Sequence, residues 1–289
     1  MQHVVVIGSA TIDRVEQAGH ATVRPGGVVT YAGHTFRLHG LDVRVVARIA
    51  PADRGFFGGL ERAGIRVFFG PSPRTTRFVN HVLGDDRRQE MPAAAAPVTA
   101  ACARAALDGV ELIHLGPLHP DDLAADLLHL VAAAKAPKSL DVQGYTRRVR
   151  KGRVERQVDP RIAAALAGAD YVKADAVELA TVLDAFGLDV PALMQRFDLR
   201  ELVVTGGRQG GRVFERAGQV TPYAGVPVHG PADPTGAGDV FFAAYLTARL
   251  RDGQAVEEAA AHAAHIAARH VAGQYIPGAL LRCDVPRVP

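Results

Sequence analysis

Asp233-Pro-Thr-Gly-Ala-Gly-Asp239 runs directly into Val240-Phe-Phe-Ala-Ala-Tyr-Leu-Thr-Ala-Arg-Leu250. The first part cannot be helical. Pro231, Asp233 and Pro234 block it, because proline lacks an amide donor and restricts the residue before it. The second part is apolar nearly all round, so a helix starting near Asp239 and buried on most sides is expected. The glycines let the backbone turn tightly and leave no side chain over the amides that open this helix. A helix N-terminus carries unpaired N–H donors and partial positive charge, so it is an anion site. An aspartate there would repel a phosphate that was merely held. It makes sense if the carboxylate takes a proton from a hydroxyl while the amides stabilise the phosphoryl group under attack, the helix dipole keeping it ionised. The spacing alone fits equally an N-cap aspartate in a glycine-rich loop.

Outward from this segment, Asp252-Gly253 closes the helix, and a second one, about Val256 to Val271, ends at Gly273 with Pro277 beyond. Upstream, Val4-Val5-Val6-Ile7 before Gly8 reads as a buried strand. Val43–Ala47, Leu112–Leu115 and Leu202–Thr205 repeat the pattern, with helical segments such as Thr99–Leu107 and Asp121–Ala134 between them. This alternation predicts an α/β fold with a central, mostly parallel sheet and helices on both faces. Residues 12–30 and 66–92 differ. Arg66–Phe69 and Arg77–Leu83 are short β-like runs, separated by Pro71-Ser72-Pro73 and ended by Gly84-Asp85-Asp86, and are expected to form a small sheet at the edge. Pro92–Pro97 reads as a linker, and the whole chain, 1–289, as one domain.

Composition narrows the function. The chain has 289 residues, 48% hydrophobic, with 30 Gly and 18 Pro, which excludes disorder, collagen and a disulfide scaffold. A net charge of +3 gives no ground for a nucleic-acid partner. The one basic cluster, Arg147, Arg148, Arg150, Lys151 and Arg153, is short and reads as a solvated loop or hairpin. Cys102 and Cys283 form no CxxC, so neither a zinc cluster nor a disulfide framework is expected, and a reducing, cytoplasmic setting fits. The N-terminus enters its first apolar run without a basic leader, and no signal peptide is expected. No uninterrupted apolar run approaches the roughly 18 residues of a membrane span.

Several motifs are absent: GxxxxGK[ST], GxGxxG after the first strand, and GxSxG. His262, His265 and His270 share one helix without an HExxH context and read as ordinary surface or packed histidines.

DPTGAGDVFFAAYLTARL resembles the C-terminal signature of the ribokinase-like carbohydrate kinases, the PfkB family. Further matches fall in the right order and cover nearly the whole chain. Asp13, in GSATID, resembles the family's hydroxyl-binding aspartate, and Gly26-Gly27 its early diglycine, with Gly40 placed like the glycine ending the next helix. Thr205-Gly-Gly207-Arg-Gln-Gly210 resembles the strand and turn beside the nucleotide, and Ala261-His262 through Gly273 the helix near adenine and the cation loop. The resemblance implies a three-layer α/β/α fold with a small β-sheet lid. It implies Asp239 as general base and the amides of Gly236, Ala237 and Gly238 as anion hole. Thr205, Gly207, Gly210 and His262 would bind the nucleotide. Asp175 and Glu178, in KADAVE, stand where the family often has N-x-x-E and would act on Mg²⁺ through water. The carbonyls of Asp233 and Thr235 are candidates for K⁺.

Departures bear on the substrate. Tyr31 stands where many members have a sugar-binding Asn, and is either a wall against a ring or helix packing. Asp141-Val-Gln143-Gly, at a strand's end, resembles the version found in inositol-kinase-like branches. The expectation is an ATP- and Mg²⁺-dependent kinase of a small sugar or cyclitol, with Asp13, Gly26, Gly27, Tyr31 and Gln143 holding the acceptor, as monomer or homodimer. The alternatives are a nucleoside kinase, with Phe36, Tyr31 and Phe78 as base wall, and a non-catalytic sugar or nucleotide sensor.

Overall fold

A computed structural model describes residues 1–17, 20–83, 86–229 and 232–282. The predicted turn at Gly84-Asp85, the Pro231 break and Cys283 lie outside the described residues.

The chain opens with β1 (His3–Gly8), β2 (Thr11–Gln17), β3 (His20–Gly26), α1 (Val28–Leu38), β4 (Asp42–Ile49), α2 (Gly58–Arg62) and β5 (Arg66–Pro71). It continues through β6 (Thr76–Leu83), β7 (Asp86–Ala93), α3 (Ala100–Ala103), β8 (Leu112–Gly116), α4 (Ala125–Ala132), β9 (Lys138–Asp141), β10 (Arg147–Arg150) and β11 (Arg153–Arg156). Last come α5 (Ile162–Ala167), β12 (Tyr171–Asp175), α6 (Ala176–Phe186), α7 (Val190–Arg196), β13 (Glu201–Thr205), β14 (Gly211–Glu215), β15 (Val220–Tyr223), α8 (Ala237–Leu250) and α9 (Val256–Val271).

A nine-stranded sheet has the order β15-β14-β13-β12-β9-β8-β1-β4-β5. From β13 to β5 its pairings are parallel, and β14 and β15 add an antiparallel edge. The β-branched runs read from the sequence are its central strands, buried on both faces as parallel strands must be. Alternation along β1 divides the core. Val4 and Val6 pack with α1, α8 and α9 on one face, while Val5 and Ile7 pack with α4 to α7 on the other. These are the three expected layers.

A six-stranded sheet, β10-β11-β7-β6-β2-β3, lies at the edge. Its membership corrects the sequence reading twice. Arg66–Phe69 belongs to the main sheet, because β5 pairs in parallel with β4 from Arg44↔Arg66 to Ile49↔Pro71. Residues 28–30 are already helical, their side chains buried in the first turn of α1. The basic segment 147–156, left as loop or hairpin, is a hairpin joined to this sheet through Arg153↔Glu90. Two helices are shorter than expected. The Thr99–Leu107 segment breaks into α3 and a 3₁₀ turn. Asp121–Ala134 starts only at Ala125, because the buried Asp122 carboxylate accepts the amides of Leu118 and His119 at 2.7 and 2.9 Å and holds the chain in a turn.

Candidate active site

The first turn of α8 is the centre of the site. Gly236 caps it in the left-handed region, φ +78°, and the Tyr31 ring fills the space a side chain would need: a Cβ on Gly236 would lie 2.3 Å from it. The helix therefore begins at Ala237, ahead of the expected start, and Asp239 sits in its first turn. The Ala237 amide already donates to Pro234 O at 3.1 Å, so of the three predicted donors Gly236 and Gly238 remain, and the Asp239 amide joins them. No acceptor for these three is found among the described residues.

Two cavities meet here, sharing Pro234 and Gly238. One, of about 290 Å³, is mostly apolar, lined by Thr205, Gly207, Gly210, Tyr223, Phe241 and the α9 face of Ala264, Ala267, Ala268 and Val271. Tyr223 stacks on Phe241 with ring centres 5.0 Å apart. The other, of about 590 Å³, is polar. Asp13, Gly27, Tyr31, Asp141, Gln143, Lys173, Asp175 and Asp239 line it from the main body, and Phe78, Arg88, Gln89, Arg147, Glu155 and Arg156 close it from the small sheet and its hairpin.

Burial of the Asp239 carboxyl, reinforced by the like charge of Asp141, pushes its pKa up to about 7, while Lys173 and Arg147 pull it down. The sequence led to an ionised carboxylate; burial instead brings its pKa to about 7. Lys173, on β12, is a site residue that the sequence motifs do not single out. Its buried ammonium donates to Asp141 Oδ2 at 2.8 Å and reaches to within 2.9 Å of where a Cβ of Gly238 would stand. The carboxylates of Asp141 and Glu178 raise its pKa against the cost of burial. The readable signal was a lysine inside the otherwise apolar strand Tyr171–Ala174.

The remaining predicted residues fall as follows. Asp13 is buried and accepts from Thr11 Oγ1 at 2.7 Å; a Cβ on Gly26 would lie 2.2 Å from its Oδ2, which is why a glycine stands there. Gly26 itself backs this carboxylate, while Gly27 faces the cavity. Tyr31 packs under Gly236 and also lines the polar cavity. Phe36 is core, edge-on to His114. Asp175 and Glu178 form a capping box at the start of α6: Asp175 Oδ1 accepts the amides of Val177 and Glu178, and Glu178 Oε2 accepts the Asp175 amide. Each keeps a second oxygen, and Asp175 lines the polar cavity. This all-oxygen pair fits a hydrated Mg²⁺ held mainly by water and phosphate. No group of three metal-binding side chains exists among the described residues. His262 does not line the apolar cavity. It lies on the other side of α9, its Nε2 3.2 Å from that of His39, because the helical period turns Ala264 and Ala268 inward and residue 262 away.

The comparisons with known proteins give the class: a phosphotransferase. A model of the pfkB family of carbohydrate kinases matches residues 1–274, and the chain belongs to that family. Its members transfer phosphoryl groups to alcohol hydroxyls. No curated protein matches the chain. Among solved structures, it is similar to a pyrophosphate-dependent kinase of the ribokinase family complexed with a pyrophosphate analog and myo-inositol, at 23% identity and TM-score 0.79, over 93% of this chain and 94% of that one. A fructokinase with bound ATP from Xylella fastidiosa is 19% identical with TM-score 0.76, over 93% and 92%. A nucleoside kinase from Burkholderia thailandensis in complex with inosine is 17% identical with TM-score 0.73, over 94% and 92%. At these identities the likeness is one of fold. Among the described residues, no helix is long and apolar enough to cross a membrane.

Proposed function

We propose that this enzyme transfers the terminal phosphoryl group of ATP to a hydroxyl of a small sugar or cyclitol. The observation that carries the reading is the junction of the two cavities at the first turn of α8, with Asp239 on the polar side. The apolar cavity suits a purine base between the Tyr223–Phe241 stack and the α9 alanines. The polar one suits a ring of hydroxyls. Phe78 and Tyr31 are its aromatic walls, against a majority of charged and amide groups, which favours a polyol over a nucleoside.

Asp13 and Gln143 hold acceptor hydroxyls, and Asp239 accepts the proton of the attacking one. That oxygen forms the new bond to the γ-phosphorus as the bond to the bridging β,γ-oxygen breaks, and ADP leaves. The amides of Gly236, Gly238 and Asp239, with the Lys173 ammonium behind them, stabilise the charge spread over the transferring group. Asp175 and Glu178 would hold Mg²⁺ through water, and the metal would neutralise the phosphates. The small sheet acts as a lid that excludes water.

The test is a panel of myo-inositol, ribose, fructose, adenosine and cytidine, with ATP and with pyrophosphate as donor, followed by ADP or orthophosphate release. Turnover of a polyol with ATP is expected. Turnover with pyrophosphate but not ATP would overturn the donor, turnover of nucleosides alone the acceptor, and binding without turnover of any pair the enzyme reading.

A further inference from the structure

The Asp233–Thr235 segment, whose carbonyls were the K⁺ candidates, already faces cationic and donor groups of the protein itself. Arg24, on β3 of the small sheet, ion-pairs with Asp233. Asp233 Oδ1 accepts the Thr235 amide at 3.0 Å, and His270 Nε2 lies 2.9 Å from Thr235 O. A carbonyl oxygen only accepts, so that nitrogen carries the proton, and it takes one of the two lone pairs of the carbonyl. Arg24 Nε and Nη2 are buried beside Asp233 without a partner among the described residues. The space next to the carboxylate is a cavity of about 300 Å³ bordered by Arg24, Tyr31 and His270. A hard cation needs several oxygens aimed at one point, and a second positive charge here would face a fixed guanidinium.

We propose that Arg24 is a built-in cation that makes this enzyme independent of K⁺. The guanidinium neutralises Asp233 and, through it, holds the Thr235-Gly236 turn from which the α8 amides project. Arg24 is thus a positioning residue, and because it stands on the small sheet it also ties that sheet to the anion site. The kinetic consequence rests on the phosphotransfer reading; the cation consequence does not.

The experiment compares the wild type with Arg24→Met and Arg24→Lys in KCl and choline chloride at equal ionic strength. Thermal unfolding is read first, since it needs no substrate. The wild-type unfolding temperature is expected to be the same in both salts. A saturable, K⁺-specific rise would overturn the proposal whether or not any acceptor is found. Arg24→Met is expected to gain a K⁺-specific stabilisation. With an acceptor in hand, its kcat in choline should fall by roughly 10²-fold, the scale of an ångström's misplacement at a reacting centre. Millimolar guanidinium or K⁺ should restore part of the loss, and Arg24→Lys should retain most of the turnover. Undiminished turnover of Arg24→Met in choline chloride, or a loss that neither cation relieves, would overturn it. Should Arg24→Met fail to fold, the wild-type salt comparison and Arg24→Lys still decide.

Discussion

Asp239 is costly to keep where it is, and the cost gives a test independent of turnover. Its carboxyl is raised to about 7 in the folded protein, against an ordinary value of 3.8. Between those values the folded state holds a proton that the unfolded chain has released, so stability contributed by this group falls as pH rises through that window. Asp239→Asn removes the effect. The variant should unfold at nearly the wild-type temperature at pH 4 and be the more stable of the two at pH 8, by at most a few kcal/mol since the residue lines an open cavity. Calorimetric unfolding across this range checks it. The same substitution should cut kcat by roughly 10²–10⁴, the range for a positioned base. Wild-type kcat should rise with pH through about 7 as the base ionises. A variant with near-full turnover would dismiss Asp239 as the base. Lys173 makes a sharper case, because it is buried with Asp141. Lys173→Met leaves that carboxylate unpaired, at a cost of about 3–5 kcal/mol. Since Lys173 also holds the Asp239 pKa down, the rise of kcat should move to higher pH. Lys173→Met with Asp141→Leu should recover stability measured in denaturant without recovering turnover; recovered turnover would exclude Lys173 from the anion site.

The elements differ in how far their sequences disclosed them. The buried parallel strands and α8 and α9 were readable because a single physical demand, burial on both faces or nearly all round, dictates their composition. Arg66–Phe69 was misplaced because a short edge strand of the main sheet and a lid strand have the same local pattern; only pairing with β4 separates them. His262 falls on the side of α9 away from the apolar cavity, because position along a helix does not fix position around it. The inward face is Ala264, Ala267, Ala268 and Val271, small residues that leave room for a flat group. Ala268→Leu should fill that room. The expected result is a rise in KM for ATP with the acceptor KM little changed, read in initial rates varied in each substrate. An unchanged KM for ATP would remove the base from this groove. Arg24 and Lys173 escaped for a different reason: a charged residue in sequence does not announce which carboxylate, about thirty or two hundred positions away, it will meet.

At the scale of the whole molecule, the two sheets divide the work. The nine-stranded sheet and its helices fix Asp141, Lys173, Asp175 and Asp239 on rigid elements, whereas the six-stranded sheet supplies Phe78, Arg88, Gln89 and the 147–156 hairpin from outside. Among the described residues, β10 and β11 pair with each other and meet the sheet at Arg153↔Glu90, with one further backbone bond from the Met91 amide to Gly152 O. Few backbone bonds hold this hairpin, so it opens at low free-energy cost, as closing elements over active sites do. The acceptor, bound between Asp13 and the hairpin, would add contacts available only in the closed arrangement. Amide exchange in 147–156 and 88–93 should therefore slow when acceptor and a non-hydrolysable ATP analogue are bound together, more than with the analogue alone. The buried strand β1, already shielded on both faces, should hardly change. Equal protection of both regions would point to global stabilisation by ligand rather than closure, and exchange unchanged in the hairpin would show that the acceptor does not engage it.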